Sequence, residues 1–175
     1  MIKLKEVITK GKFICIFLWI LVILWAGLIF IMSSMDTNES NGKSKTIINE
    51  VVKKSVETTN VLSITDKCPS ENKMEQVIEK LNYPLRKVAH ASEYFIFTIL
   101  ILIALKNSGV KKNKKFIIAL IICFIYACTD EYHQTFVIGR TGLFSDTLID
   151  TLGGFICCLI YASIMEISKI IKKHI

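Results

Sequence analysis

Phe13 to Met32 reads FICIFLWILVILWAGLIFIM, 20 residues without a single charge. As a helix rising about 1.5 Å per residue it is roughly 30 Å long, the thickness of a bilayer's hydrocarbon core. A soluble core has no need of such a run. Three further apolar stretches follow outward along the chain, at about 86–105, 116–135 and 145–168. The expected fold is therefore all-α, an integral membrane four-helix bundle. Lysines ahead of Phe13 raise the alternative of a cleaved signal peptide. The run exceeds a signal core in length, and no small-x-small cleavage site follows it, so a retained helix is expected.

The charges say which way the helices point. A chain of 175 residues is one domain's worth, and its net charge of +7 is distributed unevenly. Lys3, Lys5, Lys10 and Lys12 precede the first run, Lys106, Lys111, Lys112, Lys114 and Lys115 lie between the second and third, and Lys169, Lys172 and Lys173 follow the last. Basic residues collect on the cytoplasmic side, where the leaflet is anionic. Both termini and the 106–115 loop are expected there, which an even number of crossings satisfies. The segment 33–85 and the turn near 134–142 are then outside. The basic charge does not indicate nucleic acid, because no basic face carries interleaved stacking aromatics.

Five cysteines (Cys15, Cys123, Cys128, Cys157 and Cys158) lie inside the apolar runs, and Cys68 sits in the outer segment. No CxxC pair points to zinc or redox chemistry, and the membrane cysteines read as small hydrophobes. In the outer segment Ile47, Ile48, Val51, Val52 and Val56 recur at helical spacing, as do Met74, Val77, Ile78 and Leu81. Two short amphipathic helices lying on the outer surface are expected from them. Trp19 and Trp25 read as packing or lipid-facing residues, and His174 as a solvated tail residue.

Against this apolar background the polar residues stand out. Measured from the cytoplasmic end of each helix, Glu93 lies about 18 Å up and His90 about 22 Å, with Asp130 near about 21 Å and Asp150 near about 27 Å. Ionisable groups at helix centres cost roughly 2.5–3.5 kcal/mol each and normally face the bundle interior or water. Three helices place such groups at similar heights, and spacing puts them on shared faces. Arg86, His90, Glu93 and Tyr94 form one face; Asp130, His133 and Gln134 form another. Asp146 and Asp150 are one turn apart, with Gly153 and Gly154 below them to admit a close neighbour.

The chain uses twenty lysines but only two arginines, Arg86 and Arg140, and both fall at this level. A guanidinium fork pairs bidentately with phosphate or carboxylate. The arginines either hold an anionic group or pair internally with Glu93, Asp130 or Asp146. Arg86, Lys87 and Arg140 face an excess of carboxylates in Glu93, Asp130, Glu131, Asp146 and Asp150, which a low dielectric does not tolerate unneutralised. Protonated His90 and His133, protonated carboxyls, or a divalent cation at His90, Glu93, Asp130 and His133 would each relieve it. No motif calls for any other cofactor.

The string Asp130-Glu131-Tyr132-His133-Gln134-Thr135-Phe136-Val137-Ile138-Gly139-Arg140 is long and specific. It continues to Asp146, Asp150 and Gly153-Gly154, and Arg86-Lys87-Val88-Ala89-His90-Ala91-Ser92-Glu93-Tyr94 precedes it. With Phe30 and the Ser33-Ser34 pair, these residues resemble the VanZ-like family of bacterial membrane proteins across all four helices. The outer segment departs from the family in being longer and more lysine-rich. The resemblance implies a multi-pass protein of the bacterial plasma membrane with a cell-envelope role. The family's founding member is associated with teicoplanin resistance, so reduced glycopeptide susceptibility is implied as well, but no settled reaction is.

Three functions fit the residues. In the first, an enzyme acts on a phosphate-bearing lipid or envelope intermediate at the outer leaflet. His90, Glu93, Asp130, Glu131 and His133 supply acid–base chemistry, Arg86, Lys87 and Arg140 bind the anion, and Tyr94, Gln134, Asp146 and Asp150 support them. No recognised nucleophile motif accompanies this reading. In the second, the same pocket binds a lipid or a lipoglycopeptide without reaction. In the third, the polar network fastens the helices, a large desolvation for bonds averaging about 0.6 kcal/mol in membranes. Oligomeric state is not legible.

Overall fold

A computed structural model of the protein describes residues 2–35, 46, 50, 51, 54 and 71–174. Its elements are α1 (Ile2–Ser33), α2 (Glu71–Asn107), α3 (Lys112–Gln134) and α4 (Phe144–His174), with no strand among the described residues. Each helix contains a segment long and apolar enough to cross a membrane: Gly11–Ser33, Pro84–Asn107, Lys114–Gln134 and Phe144–Lys172. The four expected spans are all present, and the helices run beyond them at several ends.

The clearest difference is at the start of α2. The residues around Met74 to Leu81, expected as a separate surface helix, are helical but continuous with the membrane span through Pro84. Proline lacks an N–H and strains the turn before it, yet it removes only one ladder bond and need not end a helix. The other expected amphipathic stretch, around 47–56, lies largely outside the described residues; of it Glu50, Val51 and Lys54 are described, and they are helical, as is Thr46.

Hydrophobic burial does not drive helices together inside lipid, so close packing and polar contacts must. The core is accordingly rich in small residues: Ala104, Ala119, Ala127, Cys123, Cys157 and Cys158 are buried at the helix interfaces. These cysteines are free, as are the half-buried Cys15 and Cys128, in line with their reading as small hydrophobes; Cys68 lies outside the described residues. Gly153 and Gly154 do what their spacing implied. A Cβ at Gly153 would run into the carbonyl of Ala91, so α4 meets α2 there backbone to backbone. Large apolar side chains such as Phe13, Ile23, Ile117 and Leu159 face outward, as a lipid-facing surface requires.

α2 is the central helix and touches each of the others, whereas α1 packs on α2, meets α3 only marginally and does not pack on α4. Polar contacts hold α1 in place. Trp19 Nε1 donates to Ser108 Oγ at 3.1 Å, Trp25 Nε1 to the Glu93 carbonyl at 3.0 Å, and Tyr126 Oη to the Ala26 carbonyl at 2.5 Å. The two tryptophans are therefore packing residues with a polar tip used against another helix.

These contacts also define two ends. At one, Trp19 and Cys15 meet Ser108, and Lys112 pairs with Glu166. The basic clusters that are described gather here, and Lys115 sits 4.5 Å from the centre of the Tyr161 ring. At the other end α1 closes, α2 enters its span, and the turn between α3 and α4 folds over them.

Candidate functional site

The polar end is built by local chain reversals. α3 ends at Gln134, and the backbone turns back through Thr135 to Leu143. Gly139 adopts φ +76°, a left-handed conformation that a side chain would strain. Gly142 lies so close over the Glu131 carbonyl that a Cβ there would collide with it. This tight turn carries Arg140 back towards the bundle. Its Nε donates to the Met35 carbonyl at 3.0 Å and its Nη1 to Gln134 Oε1 at 3.3 Å.

Arg86, Lys87, His90, Gln134, Arg140 and Asp146, with Gly139, Thr141 and Leu143 of the turn, line one cavity of about 150 Å³. That volume has room for a phosphate-sized anion or several waters. Both of the chain's arginines are among the lining residues. Lys87 is ion-paired to Asp146 across α2 and α4. Burial first, then the positive charge of Arg86, pulls the Arg140 guanidinium down from its ordinary value. A guanidinium does not deprotonate at neutral pH, so two like charges face the same cavity. His90 forms part of the wall, and its Nδ1 lies 3.7 Å from Glu93 Oε2, longer than a hydrogen bond.

Deeper in the bundle the character reverses. Asp130, Glu131 and Asp150 are buried, and each offers a carboxylate oxygen within 4.8 Å of the others. Gln134 Nε2 donates to Asp130 Oδ2 at 3.3 Å and to Glu131 Oε1 at 3.1 Å, while the Leu143 amide donates to Glu131 Oε2 at 2.9 Å. Among the described residues no lysine or arginine forms an ion pair with these three acids. Tyr94, fully buried, stands beside them with its ring 6.1 Å from that of Tyr126.

The residues singled out from sequence thus come together at one end, but in two compartments. Arg86, Lys87, His90, Arg140 and Asp146 surround the basic cavity; Asp130, Glu131, Asp150 and Tyr94 form the acidic one; Gln134 touches both. Glu93 stands behind His90. His133 is not among the cavity-lining residues, and its ring packs on Phe30 with centroids 4.1 Å apart. Of the set expected to hold a cation, His90, Glu93, Asp130 and His133, only Asp130 belongs to the trio of acids whose oxygens lie within 4.8 Å of one another. Histidine spacing along α2 and α3 could not reveal this, because it says nothing of helix rotation. α1 contributes as well: Phe30, Ser33 and the Met35 carbonyl enter this end of the bundle, of which only Met35 was not singled out in the sequence. The signals for α1 were Phe30 and the Ser33-Ser34 pair at the end of the charge-free first run.

A basic cavity and a buried acidic cluster, sharing one end of four apolar helices, define a multi-span helical membrane protein with a polar chamber. The particular family follows from comparison with known sequences. The chain belongs to the VanZ/LLP1 family, whose model matches residues 17–166. No curated protein and no solved structure matches the chain.

Proposed function

We propose that the basic cavity binds the anionic, phosphate-bearing headgroup of a lipid or envelope intermediate at the outer leaflet of the bacterial plasma membrane. The observation that carries this reading is that the chain's two arginines, from α2 and from the α3–α4 turn, line the same cavity. Their mutual repulsion and the desolvation of Arg140 are relieved together by one bound anion. The outer assignment rests on the lysines gathered at the opposite end, since basic loops stay in the cytoplasm.

Where the bound group reacts, His90 is the acid or base that the geometry favours over His133, because it lines the cavity and has Glu93 as its neighbour. Without reaction, the same cavity sequesters the anionic group of its ligand. Lowered teicoplanin susceptibility, the property associated with the family's founding member, is the envelope phenotype to measure for either behaviour. The competing reading, a purely structural fastening, draws on the Lys87–Asp146 pair and the bonds of Gln134.

Equilibrium binding separates them. Short-chain phosphatidic acid should bind the detergent-solubilised chain in preference to phosphatidylcholine. Arg86→Gln and Arg140→Gln should each weaken binding about tenfold or more, the worth of one charge-assisted hydrogen bond. Equal affinity for the two lipids, unchanged in both variants, supports the fastening instead.

A further inference from the structure

Three buried carboxylates without a basic partner need an explanation of their own. Moving such charges out of water is expensive unless something neutralises them in place. Asp130 and Asp150 are each 1% exposed and Glu131 is 6% exposed, so solvent does not supply it. The Gln134 amide and the Leu143 N–H satisfy Glu131 and one oxygen of Asp130. Asp130 Oδ1 and Asp150 Oδ2 have no hydrogen-bond partner.

A second observation is independent of the acids. The hydroxyls of Ser33 on α1 and Tyr94 on α2 are buried, and both are directed at the Asp130 carboxylate. Neither reaches full hydrogen-bond geometry with a partner. A cation would draw on the lone pairs of these hydroxyls and carboxylates together. Every donor is oxygen, the ligand set of Ca²⁺ and Mg²⁺ rather than of softer metals. The spacing agrees: oxygens bound to Ca²⁺ at about 2.3–2.6 Å are at most about 5 Å apart across the ion. The three acids each offer one oxygen within 4.8 Å of the others.

We propose that Asp130, Glu131 and Asp150, with the hydroxyls of Ser33 and Tyr94, bind one hard divalent cation of the Ca²⁺ or Mg²⁺ class. The ion draws ligands from all four helices. It therefore ties α1, which does not pack on α4, to the other three at the polar end. None of these five ligands lines the anion cavity, and the proposal does not rest on anion binding there.

The test uses the metal alone, so its failure leaves the anion reading untouched. The full chain, purified in detergent and stripped with chelator, is titrated with CaCl₂ and with MgCl₂ in separate arms, reading bound metal per chain and the unfolding midpoint. One equivalent of one of these ions should bind saturably, and the midpoint should climb with its concentration as mass action requires. Asp150→Asn and Glu131→Gln, which keep side-chain shape, should each weaken binding at least about tenfold, and Tyr94→Phe should weaken it measurably. Glu166→Gln, at the opposite end, should not change it. Absence of saturable binding in both wild-type arms overturns the proposal, and no variant needs to fold for that result. Binding that persists undiminished in both Asp150→Asn and Glu131→Gln overturns it equally.

Discussion

Arg140 Nη1 donates to Gln134 Oε1 at 3.3 Å, and through this bond one side-chain amide joins the two halves of the polar chamber. The same amide donates from Nε2 to Asp130 and Glu131. A glutamine suits the position because it accepts from a guanidinium and donates to carboxylates at once.

Replacing that bridge has a definite consequence. Gln134→Leu fills similar space but leaves the carboxylates and the guanidinium without their shared partner. The expected loss is about 1–3 kcal/mol, the cost of unsatisfied buried polar groups. Thermal unfolding in detergent reads it; an unchanged midpoint would show that water replaces the amide without penalty.

The two adjacent glycines of α4 should differ in their tolerance. A Cβ at Gly153 meets the backbone of Ala91, which cannot step aside, whereas at Gly154 it meets the side chains of Cys123 and Thr98. Gly153→Ala should therefore destabilise more than Gly154→Ala, by about 1–3 kcal/mol as overpacking generally costs. Gly27→Ala, with nothing within 4 Å, serves as the control that changes little. Chemical or thermal denaturation of the three variants gives the order, and an inverted order would mean that α2 and α4 are less tightly apposed at Ala91.

The histidines should separate in their effects. His133→Ala removes the ring contact with Phe30 at 4.1 Å and should lower stability by about 1 kcal/mol while leaving anion affinity intact. His90→Gln alters the cavity wall and should change anion affinity or turnover with less effect on the unfolding midpoint. Paired melting and binding curves on the two variants check this, and a reversed pattern would put His133 in the functional role.

Orientation is open to labelling in intact cells. In a cysteine-free background, Ile138→Cys in the exposed α3–α4 turn should react with a membrane-impermeant maleimide added from outside. Ser108→Cys, in the lysine-rich loop between α2 and α3, should react only after lysis. Labelling in the opposite sense would invert the topology and move the chamber to the cytoplasmic side.

Much of the architecture was legible in the chain because bilayer thickness imposes a length on apolar runs, and all four spans were found. The helix through Pro84 was not, because proline in sequence signals a boundary that a helix in structure need not respect. The level of the site was legible as well, since ionisable residues in membrane spans are rare and helix rise converts position to depth. Its division into a basic and an acidic compartment was not. That depends on the rotation of each helix, fixed by Ala91 against Gly153 and by Trp25 against the Glu93 carbonyl, contacts between residues 62 or more positions apart in the sequence for one pair and 68 for the other. Arg140 illustrates both sides. Its rarity singled it out without deciding between an anionic ligand and internal pairing, and its reach to Met35 on α1 depended on the reversal at Gly139.

The most direct measurement is an experimental structure of the chain with bound short-chain phosphatidic acid. Phosphate density should lie between Arg86 and Arg140, within hydrogen-bonding reach of both guanidinium groups. A second basic cleft, lined by Lys106, Lys169 and Lys172 at the opposite end, provides the internal competitor. Phosphate found only in that cleft, or guanidinium groups turned away from one another towards lipid, would contradict the anion-binding chamber.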